Sequence, residues 1–244
     1  MFLHQRTYLE HVIEKFGIND AKIVSVPADP HVRLRPVDTE EVNRSKISFR
    51  KAVGSLMFLA IVSRPDIAYS VNAFSKYLNN YDESHWLAVK RIVKYLKGTL
   101  DLGIRYGSGK SLLQVVGYSD ADYANDIETR RSTTGYVFML VNGPVTWSSQ
   151  RQKLVTLSTT EAKYVAAASA AKEMIWLRKL LSDIGHGCSE ATVLFIDNQS
   201  AIRLVKNPEF HKRTKHIAIR FHIIPQWARR QGKVAKIQDF VGFS

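Results

Sequence analysis

The most constraining feature of this sequence is residues 115–125, VVGYSDADYAN, in which an apolar run ends in carboxylates. Side chains that alternate up to Asp120 are typical of a β-strand, so we expect this carboxylate on one face at the end of the strand. A rigid strand that carries an acid at its tip is a common scaffold for a metal ligand. A polar turn after the strand, which Asp and Asn also favour, is the alternative, and this stretch alone does not decide.

Composition is that of an ordinary globular protein with a basic surface. The 244 residues suffice for one large or two small domains. Lys and Arg number 35 against 22 Asp and Glu, a net charge of +13 that suits nucleic acid or an anionic membrane, although a merely soluble basic surface has the same composition. Cys188 is the only cysteine, which excludes an internal disulfide and a four-cysteine zinc module and fits a reducing compartment.

The termini and apolar stretches give no sign of a membrane. Charged residues run through the N-terminal segment, which is not typical of a secretory signal. The longest apolar stretch is too short to span a bilayer. We therefore expect no membrane partner.

The first hundred residues carry helical signals. Apolar residues recur there at helical spacing in several segments. Ser48 and Ser84 are candidate N-caps, and Gly17 and Gly98 follow as stop signals. These patterns predict a helical module in residues 1–106.

A glycine-rich boundary separates this module from a part in which strand signals dominate. Predicted strands end at Asp120 and Asp197, and an Asn-Gly pair at 142–143 predicts a hairpin. A long helix is predicted from about residue 159 to 181, and a last strand from about 234 to 240. The mixture predicts an α/β fold that begins with an antiparallel meander.

Three carboxylates are candidates for one metal site. Asp120 and Asp197 each follow an apolar strand, and Glu161 begins the otherwise apolar, core-facing side of the long helix. Each has a structural alternative: Ser158 and Glu161 match a capping box, and Asp197 can cap the short helix that follows it. If the three converge, mutual repulsion requires cations, and hard oxygen ligands favour Mg²⁺ or Mn²⁺ over Zn²⁺.

The second part of the chain contains five long motifs. They are YSDADYANDIETRRSTTGYVF, VTWSSQRQ, STTEAKYVAAASAAKEMIWLRKLL, FIDNQSAI and FHKRTKHI. In this order they resemble the ribonuclease H domain of copia-type retrotransposon Pol polyproteins. The earlier segments FRKAVGSLMFL, SRPDIAYSVNAFSKYLNN and HWLAVKRIVKYLKGTLDLGIRY resemble the end of the reverse transcriptase in the same polyproteins.

This resemblance implies a fold and an activity. Residues 112–244 are expected to form a ribonuclease H-like mixed five-stranded sheet with flanking helices, and residues 1–106 a small thumb-like or connection-like module. The implied reaction is cleavage of the RNA strand of an RNA–DNA hybrid with two Mg²⁺ ions, for which Mn²⁺ can substitute. Asp120, Glu161 and Asp197 match the first three catalytic, metal-binding acids. His211 is a weaker candidate for a substrate or proton-transfer role, and an exposed loop histidine is the alternative.

Basic and polar side chains are expected to hold the substrate. Such groups bind phosphates without reading bases, and RNA is told from DNA through its 2′-hydroxyl. The candidates are Ser149, Asn198, Lys206, Lys212, Arg213, Lys215 and Arg220.

Departures from the family pattern lower the expected activity. Ala218 stands where the resemblance implies an Asp as the fourth metal-binding acid, and Pro225 interrupts a final helix predicted for residues 217–229. No Tyr-x-Asp-Asp sequence occurs, so the polymerase palm is expected to be absent and with it any polymerase activity. We therefore predict an impaired ribonuclease H with slow, Mn²⁺-favoured cleavage. A non-cleaving nucleic-acid-binding module or a decayed fragment is the alternative.

Partners and location follow from the same resemblance. The expected partners are an RNA–DNA hybrid and the remainder of the Pol polyprotein. The expected location is the cytoplasm, with virus-like particles or the nucleus for the parent element.

Overall fold

A computed structural model describes residues 1–29, 31–32, 34–37, 48–107, 114–187, 190–206 and 235–239. The chain divides into two compact units, Met1–Arg105 and Tyr106–Ser244. Within the described part, no helix has the length and apolar character needed to cross a membrane.

The first unit is helical. Its helices are α1 (Arg6–Lys15), α2 (Phe49–Val62), α3 (Ala68–Ser75) and α4 (Glu83–Lys97), and a 3₁₀ turn, Pro65–Ile67, precedes α3. Two short strands, β1 (Phe2–Leu3) and β2 (Ile104–Arg105), pair antiparallel. Apolar faces of the helices form one core, in which Phe49, Leu56 and Leu96 are fully buried. The helical prediction for this part of the chain agrees with these elements.

The N-caps of this unit differ in part from the sequence prediction. Asp82, not Ser84, caps α4, because its carboxylate accepts the backbone N–H groups of Ser84 and His85. Ser48 precedes α2 as predicted, but its side chain makes no capping hydrogen bond.

The second unit is built on a mixed sheet. Its elements are β3 (Val116–Asp122), β4 (Thr133–Leu140), β5 (Gly143–Arg151), α5 (Thr159–Asp183), β6 (Thr192–Ile196), α6 (Gln199–Lys206) and β7 (Ala235–Asp239). The five strands lie in the order β5-β4-β3-β6-β7. The pairs β5–β4 and β4–β3 are antiparallel, whereas β3–β6 and β6–β7 are parallel. This strand order confirms the predicted ribonuclease H-like mixed five-stranded sheet with flanking helices.

Helix α5 packs on the central strands through small side chains. Ala162 and Ala166 contact Ala121 of β3, and all three are buried. Farther along, residues of α5 and α6 join Val115, β4 and β6 in one core with Phe138 fully buried. Alanine at these positions allows the start of the helix to lie close to the strand that carries Asp120.

The hairpin between β4 and β5 turns one residue earlier than predicted. Leu140 pairs with Gly143, so the two turn residues are Val141 and Asn142, and not the Asn-Gly pair at 142–143. Both have positive φ, 51° at Val141 and 63° at Asn142. Asn tolerates this conformation, whereas a β-branched valine is strained there.

Candidate active site

Asp120 and Asp197 directly follow the last paired residues of two neighbouring parallel strands. The strand does not end at Asp120 as predicted, because β3 continues to Asp122 through its pairing with β4. Parallel pairing of β3 with β6 places Ser119 level with Ile196, and the next residues along the two strands are the two aspartates. The side chains of Asp120 and Asp197 are 65% and 53% exposed. Because the carboxyl ends of parallel strands meet at one edge, the fold brings these two predicted residues together.

Asn198, and not Asp197, caps the helix that follows β6. Its Oδ1 accepts the backbone N–H of Ala201 at 2.7 Å, and its carbonyl accepts that of Ile202. Asp197 is therefore not needed as the cap of α6, and its carboxylate points instead toward α5.

A lysine of α5 joins the two aspartates. Nζ of Lys163 lies 3.1 Å from Oδ1 of Asp120 and 2.6 Å from Oδ1 of Asp197, and it also donates to the carbonyl of Asp197 at 3.1 Å. The Lys163 side chain is only 15% exposed. Burial opposes its charge, yet the hydrogen bonds from Lys163 to Asp197 and Asp120 outweigh it and raise the pKa of Lys163 above its usual range.

Glu161 lies in the first turn of α5 and takes part in the hydrogen bonds at the N-terminus of this helix. Its backbone N–H donates to Oγ of Ser158 at 3.2 Å, and its Oε2 accepts the backbone N–H of Leu157 at 2.7 Å. The residue is 7% exposed. The capping box considered as the alternative is present only in part: Ser158 caps the helix as predicted, but the carboxylate of Glu161 bonds the backbone of Leu157 and not that of Ser158.

Two of the predicted acids face one shared cation, the ammonium group of Lys163. Asp120 and Asp197 each direct an oxygen at the same ammonium group, so the two can also face a single hard ion from that side. Among the described residues, no group of three His, Cys, Asp or Glu side chains could hold a metal. In this arrangement the oxygens of Asp120 and Asp197 converge, whereas the carboxylate of Glu161 is bonded to the backbone of Leu157.

Ser149 lies in one row with Asp120. Asp120 pairs with Gly135 of β4, and Gly135 pairs with Ser149 of β5. Two strand spacings separate Ser149 from Asp120, a distance of about 10 Å. Since Gly135 has no side chain, the row is open between them.

The remaining predicted site residues are described in part or not at all. Lys206 is the last residue of α6, and its side chain lies outside the described part of the chain. Also outside it are His211, Lys212, Arg213, Lys215, Ala218 and Arg220.

Lys163 was missed by the sequence reasoning. Its signal is a lone lysine two positions after Glu161, among the alanines that begin α5. Helical spacing placed Glu161 on the apolar side, but the rotation of α5 against β3 and β6 turns position 163 toward the aspartates.

Known proteins similar to this chain include retrotransposon Pol polyproteins. The Pol polyprotein of transposon TNT 1-94 from Nicotiana tabacum is 44% identical over 243 residues, covering 97% of this chain and 18% of that protein. The Pol polyprotein of transposon RE2 from Arabidopsis thaliana is 38% identical over 231 residues, covering 92% and 15%. The chain thus spans less than a fifth of these relatives. No family model matches it.

Among solved structures, the chain is similar to the N-terminal RNase H domain of a Mycobacterium tuberculosis protein, solved as a fusion with maltose-binding protein. The two are 14% identical with a TM-score of 0.36, covering 52% of this chain and 82% of that one. The fold assignment rests on the strand order of the second unit, whereas kinship rests on the sequence matches. On those matches the chain is similar to copia-type retrotransposon Pol polyproteins and is consistent with a C-terminal portion of Pol.

Proposed function

We propose that the second unit is a ribonuclease H-like module that binds RNA–DNA hybrids and cleaves their RNA strand slowly, with a divalent metal. The convergence of Asp120 and Asp197 on neighbouring parallel strands is the observation that carries this proposal. Two converging carboxylates at one sheet edge are the kind of hard oxygen ligands that suit a divalent ion.

Each residue of the proposed site has a separate role. Asp120 and Asp197 would hold the metal, with Mg²⁺ or Mn²⁺ as the candidates, and Glu161 stays a third candidate ligand that would have to leave the Leu157 backbone. When bound, a divalent ion stabilises negative charge on the scissile phosphate and lowers the pKa of the attacking water. The row from Asp120 past Gly135 to Ser149 offers a surface on which a backbone can lie, and the Ser149 hydroxyl could donate to a phosphate or a 2′-hydroxyl.

The rest of the chain fits the same proposal. The net charge of +13 favours a polyanion, and its contribution weakens as salt rises. We assign the first unit to the thumb or connection part of the parent polyprotein. The remainder of that polyprotein would be a further partner of this chain. His211 and the basic residues Lys206, Lys212, Arg213, Lys215 and Arg220 remain candidates for substrate contacts.

A non-cleaving hybrid-binding module is the second candidate. The observation in its favour is Lys163, whose ammonium group neutralises both aspartates without a metal. Such a module would keep its affinity for hybrids and lose cleavage.

The test is binding and cleavage of a labelled RNA–DNA hybrid by the full chain, in Mg²⁺ and in Mn²⁺. The proposal expects salt-sensitive binding and slow cleavage that is faster in Mn²⁺. Asp120→Asn should abolish cleavage, because it removes a charged ligand and keeps the shape of the side chain. Asp122→Asn is the matched control: this acid lies two residues farther along β3 and is also exposed, and it should leave cleavage unchanged.

The outcomes separate the two candidate functions. Binding without any cleavage would favour the binding module. Equal cleavage by wild type and Asp120→Asn would reject the acid site, and absence of hybrid binding would reject both functions. Ala218→Asp should accelerate cleavage if that position holds the fourth acid, and no gain at any metal concentration would count against that assignment.

A further inference from the structure

We propose that Lys163 is the built-in cation of the acid site: its ammonium group lies between Asp120 and Asp197 and must move before a divalent ion can bind there. The inference rests on the proposed function, since it concerns how the same site accepts its metal. It assigns to position 163 of α5 a role in controlling metal access.

The geometry singles out this position on α5. Lys163 is within 3.1 Å of both carboxylates, whereas the carboxylate of Glu161 is bonded to the backbone of Leu157. Between these two residues, Ala162 is fully buried against β3. The contacts of α5 thus bring the side chain of residue 163 to the two aspartates and leave that of residue 161 at the end of the helix.

Three acceptors hold the ammonium group in place. Besides the two carboxylates, the carbonyl oxygen of Asp197 accepts a hydrogen bond from it at 3.1 Å. Either ion pair alone would be weak, because Asp120 and Asp197 are more than half exposed. Together they make a shared contact in which one positive charge removes the repulsion between two negative charges.

This contact opposes metal binding in two ways. The ammonium group occupies the space that both oxygens face, and it cancels part of the negative potential that would attract an ion. Because Lys163 has a long flexible side chain, it can swing into solvent without a change in the backbone. The site therefore has a closed state held by lysine and an open state able to take a metal.

Mn²⁺ alone is the probe for the test, measured by titration calorimetry on the full 244-residue chain. Lys163→Gln keeps length and hydrogen bonding but removes the charge, so it should bind Mn²⁺ at least tenfold more tightly than wild type. Lys163→Arg retains the charge and should bind as weakly as wild type. Lys179→Gln is the matched control, since Lys179 is an exposed lysine on the same helix.

Further measurements locate the effect and remove the dependence on variants. Adding Asp120→Asn to Lys163→Gln should abolish the gain in affinity. In the wild-type chain, amine acetylation of Lys163 followed by mass spectrometry should accelerate when Mn²⁺ is added, because the displaced side chain becomes more exposed. Equal Mn²⁺ affinity in wild type and Lys163→Gln, a gain that survives loss of Asp120, or unchanged acetylation would each overturn the proposal.

Failure of this inference is distinguishable from failure of the proposed function. If Lys163→Gln gains Mn²⁺ affinity but neither form binds or cleaves a hybrid, the lysine has its role and the nuclease assignment is wrong. If the wild type cleaves hybrids and Lys163→Gln gains no affinity, the nuclease assignment holds and the role of Lys163 is wrong.

Discussion

Replacing Gly117 with alanine should destabilise the strand that carries Asp120. A Cβ at this position would lie 2.3 Å from Cε1 and 2.8 Å from Cδ1 of Phe138, and 3.0 Å from Cδ1 of Leu194. Phe138 is fully buried and Leu194 is 1% exposed, so neither side chain can move out into solvent. The added methyl group must therefore displace packed core atoms.

The magnitude follows from two opposing effects. Overpacking of a well-packed core costs about 1–3 kcal/mol. Replacing glycine with alanine within a strand returns about 0.5–1 kcal/mol of conformational entropy. We expect an overpacking cost in the upper half of that range, about 2–3 kcal/mol, because the aromatic ring has no free space around it. The net loss after the entropy gain is then about 1–2.5 kcal/mol.

Gly135→Ala on the adjacent strand is the matched control. A Cβ there meets nothing nearer than the carbonyl oxygen of Asp120 at 3.9 Å, so this variant should be neutral or slightly stabilised. Hydrogen exchange of peptides from β3, β4 and β6, read by mass spectrometry, measures the effect within the second unit. Equal protection of the Gly117→Ala and Gly135→Ala variants would refute the packing argument.

Three further predictions concern stability. Val141→Asn should raise the free energy of unfolding of the second unit, measured in urea, by about 1 kcal/mol, since it removes a β-branched residue from a position with positive φ. A lower free energy of unfolding would contradict the strain at Val141. Arg64→Met should lower the free energy of unfolding of the first unit by about 3 kcal/mol in urea, because it removes a buried guanidinium that bonds Asp66 at 2.7 Å. Arg64→Lys should not restore this stability, since lysine lacks the planar fork of the guanidinium. A neutral effect of Arg64→Met would show that the pair is dispensable. Asp82→Ala should cost about 1 kcal/mol at neutral pH. Desolvation opposes the charge of Asp82, but hydrogen bonds from the first turn of α4 lower its pKa to about 2, so this stabilisation should be present above the unfolded pKa and lost as pH falls from about 4 to about 2. If the difference in free energy of unfolding between the wild type and Asp82→Ala did not shrink over this pH range, the role of the Asp82 charge would be contradicted.

Local signals in the sequence were sufficient for most elements of the second unit. The strand before Asp197 and the start of α5 agree with the prediction, because alternation, helical spacing and the Ser158 cap are properties of the neighbouring residues themselves. The pairing of β3 with β6, and hence the meeting of Asp120 with Asp197, was also within reach once both acids were placed at strand ends.

Features that depend on tertiary geometry could not be predicted from the sequence. Asp82 and Ser84 are equally good cap residues by type, and only the backbone path into α4 selects Asp82. Strand register decided that the hairpin turns at Val141 and not at the Asn-Gly pair. The contact of Lys163 with the aspartates depends on how α5 is rotated against the sheet, which spacing along the chain does not determine.

Hybrid cleavage by Asp120→Asn, Asp197→Asn and the double variant tests the central claim most directly. If both aspartates serve one site, each single substitution should remove the slow Mn²⁺-dependent cleavage, and the double variant should be no worse than either. Cleavage that persists in one single variant, or losses that add independently in the double variant, would contradict the claim that the two carboxylates form one active site.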